Sequence, residues 1–423
     1  MKILHAADLH IDSPLRGLSA VDGALAEEVR SATRRAFVNL VNLALAESVD
    51  VLLLAGDIYD GDWRDHQTGV FFASELKRLE TQGVRVFIAR GNHDAESQIS
   101  RHVTLPQNVT VFGSDAVETV HLPALGLAVH GWSFDRQAVN ENVARRFPPP
   151  VPGAINVAVL HTNLDGQVGH GNYAPCSTDD LRTRGYDYWA LGHVHSRRHE
   201  QFGSTHVVYP GNLQGRHARE VSPEGKGATL VTTDGASITR VEHRVLDVVR
   251  WLACEVDIAG LSSRDDIVRK IAERVTTAVR ATGRAGVARV TVTGATPLHR
   301  EWAMHEREIA AGLGAHLGQG AYVEKIVRST RDVEEAAGVD DTFASIAGVV
   351  ARAKSERDLR QQLCDTIGNR LGHILGAHGA RALADAGLRL PTSDDPDGVE
   401  ALLQAATQRL AARIRPSRPT PRS

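Results

Sequence analysis

Short apolar runs recur through the first half of the chain, and a polar residue able to bind a metal ion follows each of them. Runs of this length that are rich in β-branched residues are typical of buried strands. Asp, Asn or His comes within three residues of the end of five such runs, at 2–7, 49–55, 84–89, 155–160 and 186–191. We therefore predict five buried strands, each delivering a polar side chain at its carboxyl end.

Helical patterns between these runs set the fold class. Residues 24–48 place apolar side chains at three- and four-residue steps, and residues 65–82 do the same before Gly83, which is a typical helix stop. Alternation of strand and helix predicts a layered α/β architecture. Further strands are predicted at 109–112, 127–132, 206–209 and 228–232. We expect two packed sheets with helices outside.

The polar residues at the strand ends form the main functional signal. Ligand sites in layered α/β sheets lie beyond the carboxyl ends of the strands, so five strands ending side by side would gather these residues in one pocket. Any one of them, taken alone, is more often an ordinary polar strand end. The ordered set is Asp8, His10, Asp57, Asn92, His161, His193 and His195.

Buried together, these groups need divalent cations. Like-charged carboxylates raise one another's pKa, and unpaired buried polar groups lose several kcal/mol of hydration. Seven donors suit two cations, with Asp57 bridging them and open positions left for water and substrate. His193 and His195 lie two residues apart, which in extended backbone turns both to one side, one for each metal. Oxygen and imidazole donors without thiolate favour Mn, with Fe or Zn as alternatives.

The order of these motifs resembles that of the calcineurin-like metallophosphoesterases. The motifs are Asp-x-His at 8–10, Gly-Asp at 56–57, Gly-Asn-His-Asp at 91–94, His161 and Gly-His-x-His at 192–195. Within that family the chain resembles the SbcD-type DNA-repair exonuclease subunits, and residues 209–217 are similar to a YhaO-like branch. The resemblance is strong over residues 1–245 and loose beyond them. It implies a two-sheet metallophosphoesterase sandwich flanked by helices.

The resemblance also implies roles and partners. His93 would act on the scissile phosphate and protonate the leaving oxygen, and Asp94 would orient and charge it. The substrate would be DNA. SbcD-like subunits work with an SMC-like ATPase of SbcC type, which they grip through carboxyl-terminal helices, and they form dimers. No motif in the carboxyl-terminal part of this chain matches the family, so the partner rests on analogy alone.

Four further residues have weaker signals. Arg216, His217 and Arg90 are candidates for contacts with a phosphodiester, since a guanidinium suits that group, although Arg is common on protein surfaces. Asp60 could steady a neighbouring histidine through a hydrogen bond.

The pattern beyond the core predicts further domains. We expect a metallophosphoesterase domain at 1–245, a small α/β cap at 246–330, a helical region at 331–415 that could dock a partner, and a disordered basic tail at 416–423. A stripe of Leu359, Leu363, Ile367, Leu371 and Ile374 runs through the helical region. Such a stripe usually packs inside its own chain. The alternative is that it forms a docking face for the coiled coil of another protein.

Composition narrows the class further. With a net charge of −3 over 423 residues, a nuclease could not hold DNA through global charge and would need a local basic patch or a partner. The three cysteines, widely spaced, predict neither a disulfide framework nor a zinc knuckle and fit a cytoplasmic protein. No run approaches the roughly 20 apolar residues of a membrane span. A cleaved leader is excluded if Asp8 and His10 are ligands.

We predict a two-metal nuclease that hydrolyses DNA phosphodiester bonds in repair or end processing, as either an exonuclease or an endonuclease. One alternative is a small-molecule phosphodiesterase or phosphatase that uses the same metals. Another is a scaffold for an ATPase partner with a vestigial site.

Overall fold

The computed structural model describes residues 1–13, 31–60, 66–96, 103–166, 171–299, 302–333, 348–350, 352–353, 355–367 and 392–414. Its backbone divides into two compact units. The first comprises Met1–Ile258, Ser263–Thr293 and Ala303–Ser329, and the second comprises Ala259–Ser262, Gly294–Trp302 and Thr330–Ser423.

The first sheet carries the amino-terminal strands. Its order is β12-β11-β1-β2-β3-β4. Strands β1 to β4 are mutually parallel, and β11 and β12 run antiparallel at one side. The strands are β1 Lys2–Ala6, β2 Val51–Ala55, β3 Arg85–Ala89, β4 Val109–Val111, β11 Gly227–Thr233 and β12 Ile238–Val245. Helices α1 (Ala32–Ala46) and α2 (His66–Glu80) connect the first three strands, as predicted. The predicted start of α1, at 24–30, lies outside the described residues.

The second sheet has the order β5-β6-β7-β8-β10-β9. Its four central strands are parallel, and the two edge strands pair antiparallel. The strands are β5 Glu118–Leu122, β6 Leu127–Gly131, β7 Ile155–His161, β8 Tyr188–Gly192, β9 Arg198–Phe202 and β10 Thr205–Tyr209. Two short helices, α3 (Asn92–Glu96) and α4 (Thr178–Arg182), follow β3 and β7 respectively.

Alternation along the strands builds two apolar layers on the first sheet. Ile3, Leu53 and Phe87 point toward the second sheet, where they share one buried core with residues of its strands such as Val157. Their neighbours in sequence point the other way, and Leu52 is one that packs under the helices. Because successive side chains of a strand alternate between faces, one continuous apolar run serves both layers. The prediction of two packed sheets with helices outside is confirmed.

In the described parts of these two sheets, three strands were not predicted from the sequence, and all three lie at sheet edges. They are β5, β9 and β12, whose sequences ETVHL, RHEQF and ITRVEHRV are largely polar. An edge strand has one side in solvent and is commonly charged, so it lacks the apolar run that reveals a central strand.

A third, three-stranded sheet follows in the chain. Strands β13 (Val249–Asp257), β14 (Ala285–Ala295) and β15 (Ala321–Arg331) lie in that order, with β13 and β14 parallel. Helix α5 (Arg264–Thr282) connects the first two and ends at Gly283, whose φ of 66° is the left-handed conformation that favours glycine. Helix α6 (Trp302–His316) precedes β15.

The last described part of the chain is helical. Residues 357–367 form a helix that contains Leu359, Leu363 and Ile367 of the predicted stripe, and a final helix covers Pro396–Ile414. Leu371 and Ile374 lie outside the described residues. None of the helices in the described ranges is both long and apolar enough to cross a bilayer.

Candidate metal centre

The five strands identified from the sequence end next to one another. In the first sheet β1, β2 and β3 are parallel neighbours, and in the second sheet β7 and β8 are. The residues that leave these strands turn sharply: φ is 51° at Asp8, 41° at His10 and 52° at Asp57. Such left-handed values cost non-glycine residues roughly 1–3 kcal/mol and concentrate at functional sites.

Two glycines allow the strand ends to approach this closely. A Cβ at Gly192 would overlap the carbonyl oxygen of Ala55 in the other sheet, and a Cβ at Gly91 would overlap the carboxylate of Asp57. Backbone from one sheet therefore lies directly against backbone or a candidate ligand from its neighbours, which only glycine permits.

Three imidazoles are held by Nδ1 so that Nε2 faces the centre of the site. Nδ1 of His10 lies 2.6 Å from Oδ1 of Asp60, and Nδ1 of His195 lies 2.6 Å from Oε1 of Glu220. Nδ1 of His161 lies 3.0 Å from the carbonyl oxygen of Ala55. A partner at Nδ1 fixes the tautomer and leaves the Nε2 lone pair for a metal ion.

The Nε2 atoms converge at distances that suit metal ligands. Those of His10 and His195 are 3.3 Å apart, and that of His161 is 3.0 Å from Oδ1 of Asn92. Two ligands bound about 2.1 Å from one ion, at tetrahedral or octahedral angles, lie about 3.0–3.4 Å apart.

Two buried carboxylates lie among these donors. Ligand atoms fall within 4.8 Å of one another in two groups, Asp8 with His10 and His195, and Asp8 with Asp57 and His161. Oδ2 of Asp57 is 3.8 Å from Nε2 of His10 and 3.5 Å from Nε2 of His161, so this carboxylate also faces both groups. Buried like charges this close require a cation, so the donor set fits two divalent metal ions. That Asp57 is the bridge stays a prediction.

The rings of His193 and His195 lie beside different histidines of the site. The ring of His193 is 5.1 Å from that of His161, whereas the ring of His195 is 5.2 Å from that of His10. Our premise of extended backbone is wrong, because φ at His193 is 103°. Nε2 of His193 lies 2.7 Å from the carbonyl oxygen of Gly171. The backbone N–H of His193 donates to both carboxylate oxygens of Asp8. With the proton on Nε2, Nδ1 carries the lone pair.

The charge states in the site suit metal binding. Burial, with the nearby Arg216 guanidinium, lowers the pKa of His10, which keeps its imidazole neutral. Burial opposes ionisation of Asp57, yet the positive charge that the surrounding histidines carry when protonated, His161 first, outweighs burial and lowers the pKa of this carboxyl. A neutral imidazole beside an ionised carboxylate is the pair of donor states that a divalent cation needs.

His93 lies at the rim of the site. Its backbone N–H donates to Oδ1 of Asp57 at 3.1 Å, while its ring lies 5.3 Å from that of His10 and its side chain is 40% exposed. The carboxylate that faces it is Asp60, whose Oδ1 lies 3.7 Å from Nδ1 of His93. His93 thus binds the buried carboxylate of Asp57 through its backbone N–H, while its imidazole is exposed to solvent.

Asp94 has a different place from the one expected. One of its oxygens accepts from the N–H groups of Ile58 and Tyr59, and the other accepts from the N–H of Gly91. It therefore ties together the loops after β2 and β3, and these bonds do not join it to His93. The reason is the short helix α3, on which successive side chains point about 100° apart.

The weaker candidates lie further from the centre. The guanidinium of Arg216 donates to Ser13 Oγ at 2.9 Å and lies 3.4 Å from Asp60, so it contacts the carboxylate that orients His10. Nε2 of His217 is 3.5 Å from Oε1 of Glu220. Arg90 lines a cavity of about 30 Å³ with Asp94 and apolar side chains. The expected contact between Asp60 and a histidine is present, at His10.

Glu220 was missed by the sequence reasoning. It is buried, with 8% exposure. Burial opposes its ionisation, but the hydrogen bond with His195 and the charge of the Arg216 guanidinium hold its pKa well below the usual range. It stands in a polar loop with no apolar run before it, so no pattern in the chain marked it.

Fold and site together define a metal-dependent phosphoesterase. Comparison with known proteins agrees: residues 1–197 match the family described as Calcineurin-like phosphoesterase, and residues 251–331 match the family described as Metallophosphoesterase YhaO, middle domain. The metallophosphoesterase YhaO of Bacillus subtilis (strain 168) is 31% identical over 305 residues, which cover 71% of this chain and 73% of that protein. The chain belongs to the calcineurin-like metallophosphoesterases, in an SbcD/YhaO-like branch.

Two further relatives have names that refer to nucleic acid. The DNA double-strand break repair protein Mre11 of Sulfurisphaera tokodaii is 24% identical over 286 residues, covering 65% of this chain and 70% of that protein. A subunit of the nuclease SbcCD of Rhodobacter capsulatus is 34% identical over 102 residues, 23% of each chain. The chain is thus a hydrolase of phosphoesters, related to nucleases, from a family that depends on a dinuclear metal site.

Proposed function

We propose that the chain is a two-metal nuclease that hydrolyses phosphodiester bonds of DNA. The observation that carries the proposal is the convergence of Asp8, Asp57 and the inward-facing Nε2 atoms of three histidines, in a chain whose relatives include Mre11 and a subunit of the nuclease SbcCD. The extra sheet and carboxyl-terminal helices beyond the two-sheet body favour a large substrate over a small one.

The proposed ligands divide between two metal positions. Asp8, His10 and His195 would hold one cation, and Asn92, His161 and His193 the other, with Asp57 between them. Manganese is the ion that we propose. When bound, the two cations supply Lewis acidity, which neutralises charge on the phosphate and lowers the pKa of the attacking water.

The chain's own residues would complete the reaction. Water attacks phosphorus in line with the ester bond that breaks; the water would give up one proton to solvent, and the leaving oxygen takes a proton from the protein. His93 is placed to donate that proton, because its imidazole is partly exposed at the rim of the site, with Nδ1 3.7 Å from Oδ1 of Asp60. Asp94 would act by holding the loop that presents His93.

The direct test is cleavage of single- and double-stranded DNA with added Mn²⁺. Asn92→Ala removes a proposed ligand and should lower kcat by weakening the metal site. His93→Ala removes the proposed proton donor and should lower kcat by roughly 10²–10⁴-fold. His121→Ala, on the exposed edge strand β5, is the matched control and should cleave like the wild type. Wild-type rates in the Asn92 or His93 variant would show that the site assignment is wrong, and much faster turnover of cyclic dinucleotides than of DNA would favour a small-molecule phosphodiesterase.

The partner and the setting are part of the same proposal. By analogy with these relatives, an SMC-like ATPase of SbcC type would dock on the helical region 331–415, the chain would dimerise, and it would act in DNA repair in the cytoplasm. Affinity purification of the full-length chain from cell extract should recover a coiled-coil ATPase. Purification of the chain free of any such ATPase, at native expression levels, would contradict the partnership.

A further inference from the structure

One loop joins the metal centre to the third sheet. It runs from Gly211 to Glu220, between β10 and β11, and carries two groups that reach the site, Glu220 and Arg216. Glu220 connects it to His195 at the metal centre, and Gln214 and Gly215 connect it to β13 and the residue before it.

At the site end, Glu220 fixes the imidazole of His195. Oε1 lies 2.6 Å from Nδ1 of His195, and Oε2 accepts from the backbone N–H of Arg216 at 2.6 Å and from Nδ2 of Asn212 at 2.9 Å. Both oxygens of this carboxylate are therefore occupied, and its orientation follows from the loop that surrounds it.

The backbone of His195 is fixed in the same place. Its carbonyl oxygen accepts from Nζ of Lys226 at 2.6 Å and from the N–H of Asn212 at 3.3 Å. Lys226 is buried, with 6% exposure, and its own N–H donates to Oδ2 of Asp247, next to the start of β13. The ring and the main chain of this one histidine thus have separate supports, both from the segment after β10.

At the other end, Gln214 fastens the loop to β13. Its side chain is 1% exposed; Oε1 accepts from the N–H groups of Val248 and Val249 at 2.9 and 3.3 Å, and Nε2 donates to the carbonyl oxygen of Val249 at 2.6 Å. Nε1 of Trp251 donates to the carbonyl oxygen of Gly215 at 2.9 Å. The side chain of Gln214 therefore makes hydrogen bonds to the backbone at the start of β13, as a neighbouring strand would.

We infer that Glu220 is a positioning residue for the metal held by Asp8, His10 and His195, and that Gln214 makes β13 part of the support of that metal. The inference rests on the two-metal site proposed above. It makes the third sheet a structural element of the metal centre, because the carboxylate that orients His195 stands in a loop whose far end is bonded to β13. Loss of such a supporting group typically lowers metal affinity about 10–100-fold.

The test is titration of metal-free full-length protein with MnCl₂, followed by calorimetry and by electron paramagnetic resonance of the coupled Mn²⁺ pair. Wild type should bind two ions. Glu220→Gln should weaken one site about 10–100-fold and leave the other, so the coupled signal is lost at a manganese concentration that fills both wild-type sites. Glu224→Gln is the matched control, the same change at an exposed position in the following segment.

Gln214→Met keeps the length of the side chain and removes its hydrogen bonds. It should weaken the same site, and Glu220→Gln combined with it should add little, because both act through one loop. If Glu220→Gln fails to fold, Glu220→Asp replaces it in the titration, and this variant should bind one of the two ions more weakly than the wild type does.

Two ions bound with wild-type affinity by the Glu220 variants would overturn the inference and leave the proposed function standing. A lowered unfolding midpoint in Gln214→Met with both manganese affinities unchanged would overturn the role of β13. A wild type that binds no manganese would count against the proposed function itself.

Discussion

His5 should make the apo protein lose stability as pH falls from neutral. The side chain lies in β1 between the two sheets, fully buried, with Nδ1 3.0 Å from the hydroxyl oxygen of Tyr188. Burial lowers its pKa from 6.5 to about 3, only partly offset by a hydrogen bond with the backbone of Leu191. Protonation of this imidazole would place a charge between the sheets.

The sign and the size follow from linkage. Below about pH 6.5 the unfolded chain takes up a proton on this histidine, whereas the folded chain resists it down to about pH 3. The free energy of unfolding therefore falls as pH falls through that window. Between pH 7 and pH 5 the loss is about 2 kcal/mol, approaching 1.4 kcal/mol per pH unit, the value for one proton.

The assay compares wild type with His5→Gln by urea unfolding at pH 7, 6 and 5, in metal-free buffer. Tryptophan fluorescence follows unfolding, since Trp132 and Trp189 are buried in the two-sheet body and Trp251 is buried in β13. His10 and His130 also have pKa values lowered mainly by burial, so the wild-type slope exceeds one proton, and the difference between the two proteins isolates His5. His121→Gln, on an exposed edge strand, should behave as wild type. Equal pH dependence in wild type and His5→Gln would refute the reasoning.

Two further predictions concern the metals and the approach of the sheets. Saturating metal-free protein with Mn²⁺ should raise the free energy of unfolding, by about 2.7 kcal/mol for each bound ion at a concentration of 100 times its Kd, because the cations neutralise Asp8 and Asp57; an unfolding midpoint that does not move in thermal scans with and without EDTA would contradict the site. Gly192→Ala should destabilise the fold by roughly 1–3 kcal/mol or more, since its Cβ meets the carbonyl oxygen of Ala55, which cannot move without its strand. The control is Gly314→Ala in α6, where nothing lies near the new Cβ; it should leave the free energy of unfolding unchanged or raise it by up to about 1 kcal/mol. Similar losses of urea midpoint in both variants would show that the close approach of Gly192 to Ala55 is not the cause.

The apolar runs determined most of the fold. A run such as 51–55 is apolar on both faces, and that is possible only for a strand covered on both sides, so the central strands and the layers could be read from the chain. The edge strands could not be predicted from the sequence in this way. Glu118–Leu122 and Arg198–Phe202 are strands because a neighbour supplies hydrogen bonds along one side, and this is a fact about the neighbour rather than about their own residues.

In the site, the sequence determined which donors are available, and the tertiary structure decided how each one is aimed. Asp8, Asp57 and His161 are at strand ends, so their convergence followed from the order of strands alone. The direction of an imidazole depends on what its other nitrogen meets, and Glu220 meets His195 across 25 positions of sequence. Asp94 turned toward backbone amides rather than His93 for the same reason: the partner of a polar side chain is chosen by three-dimensional proximity, and neighbours in sequence leave a helix in different directions.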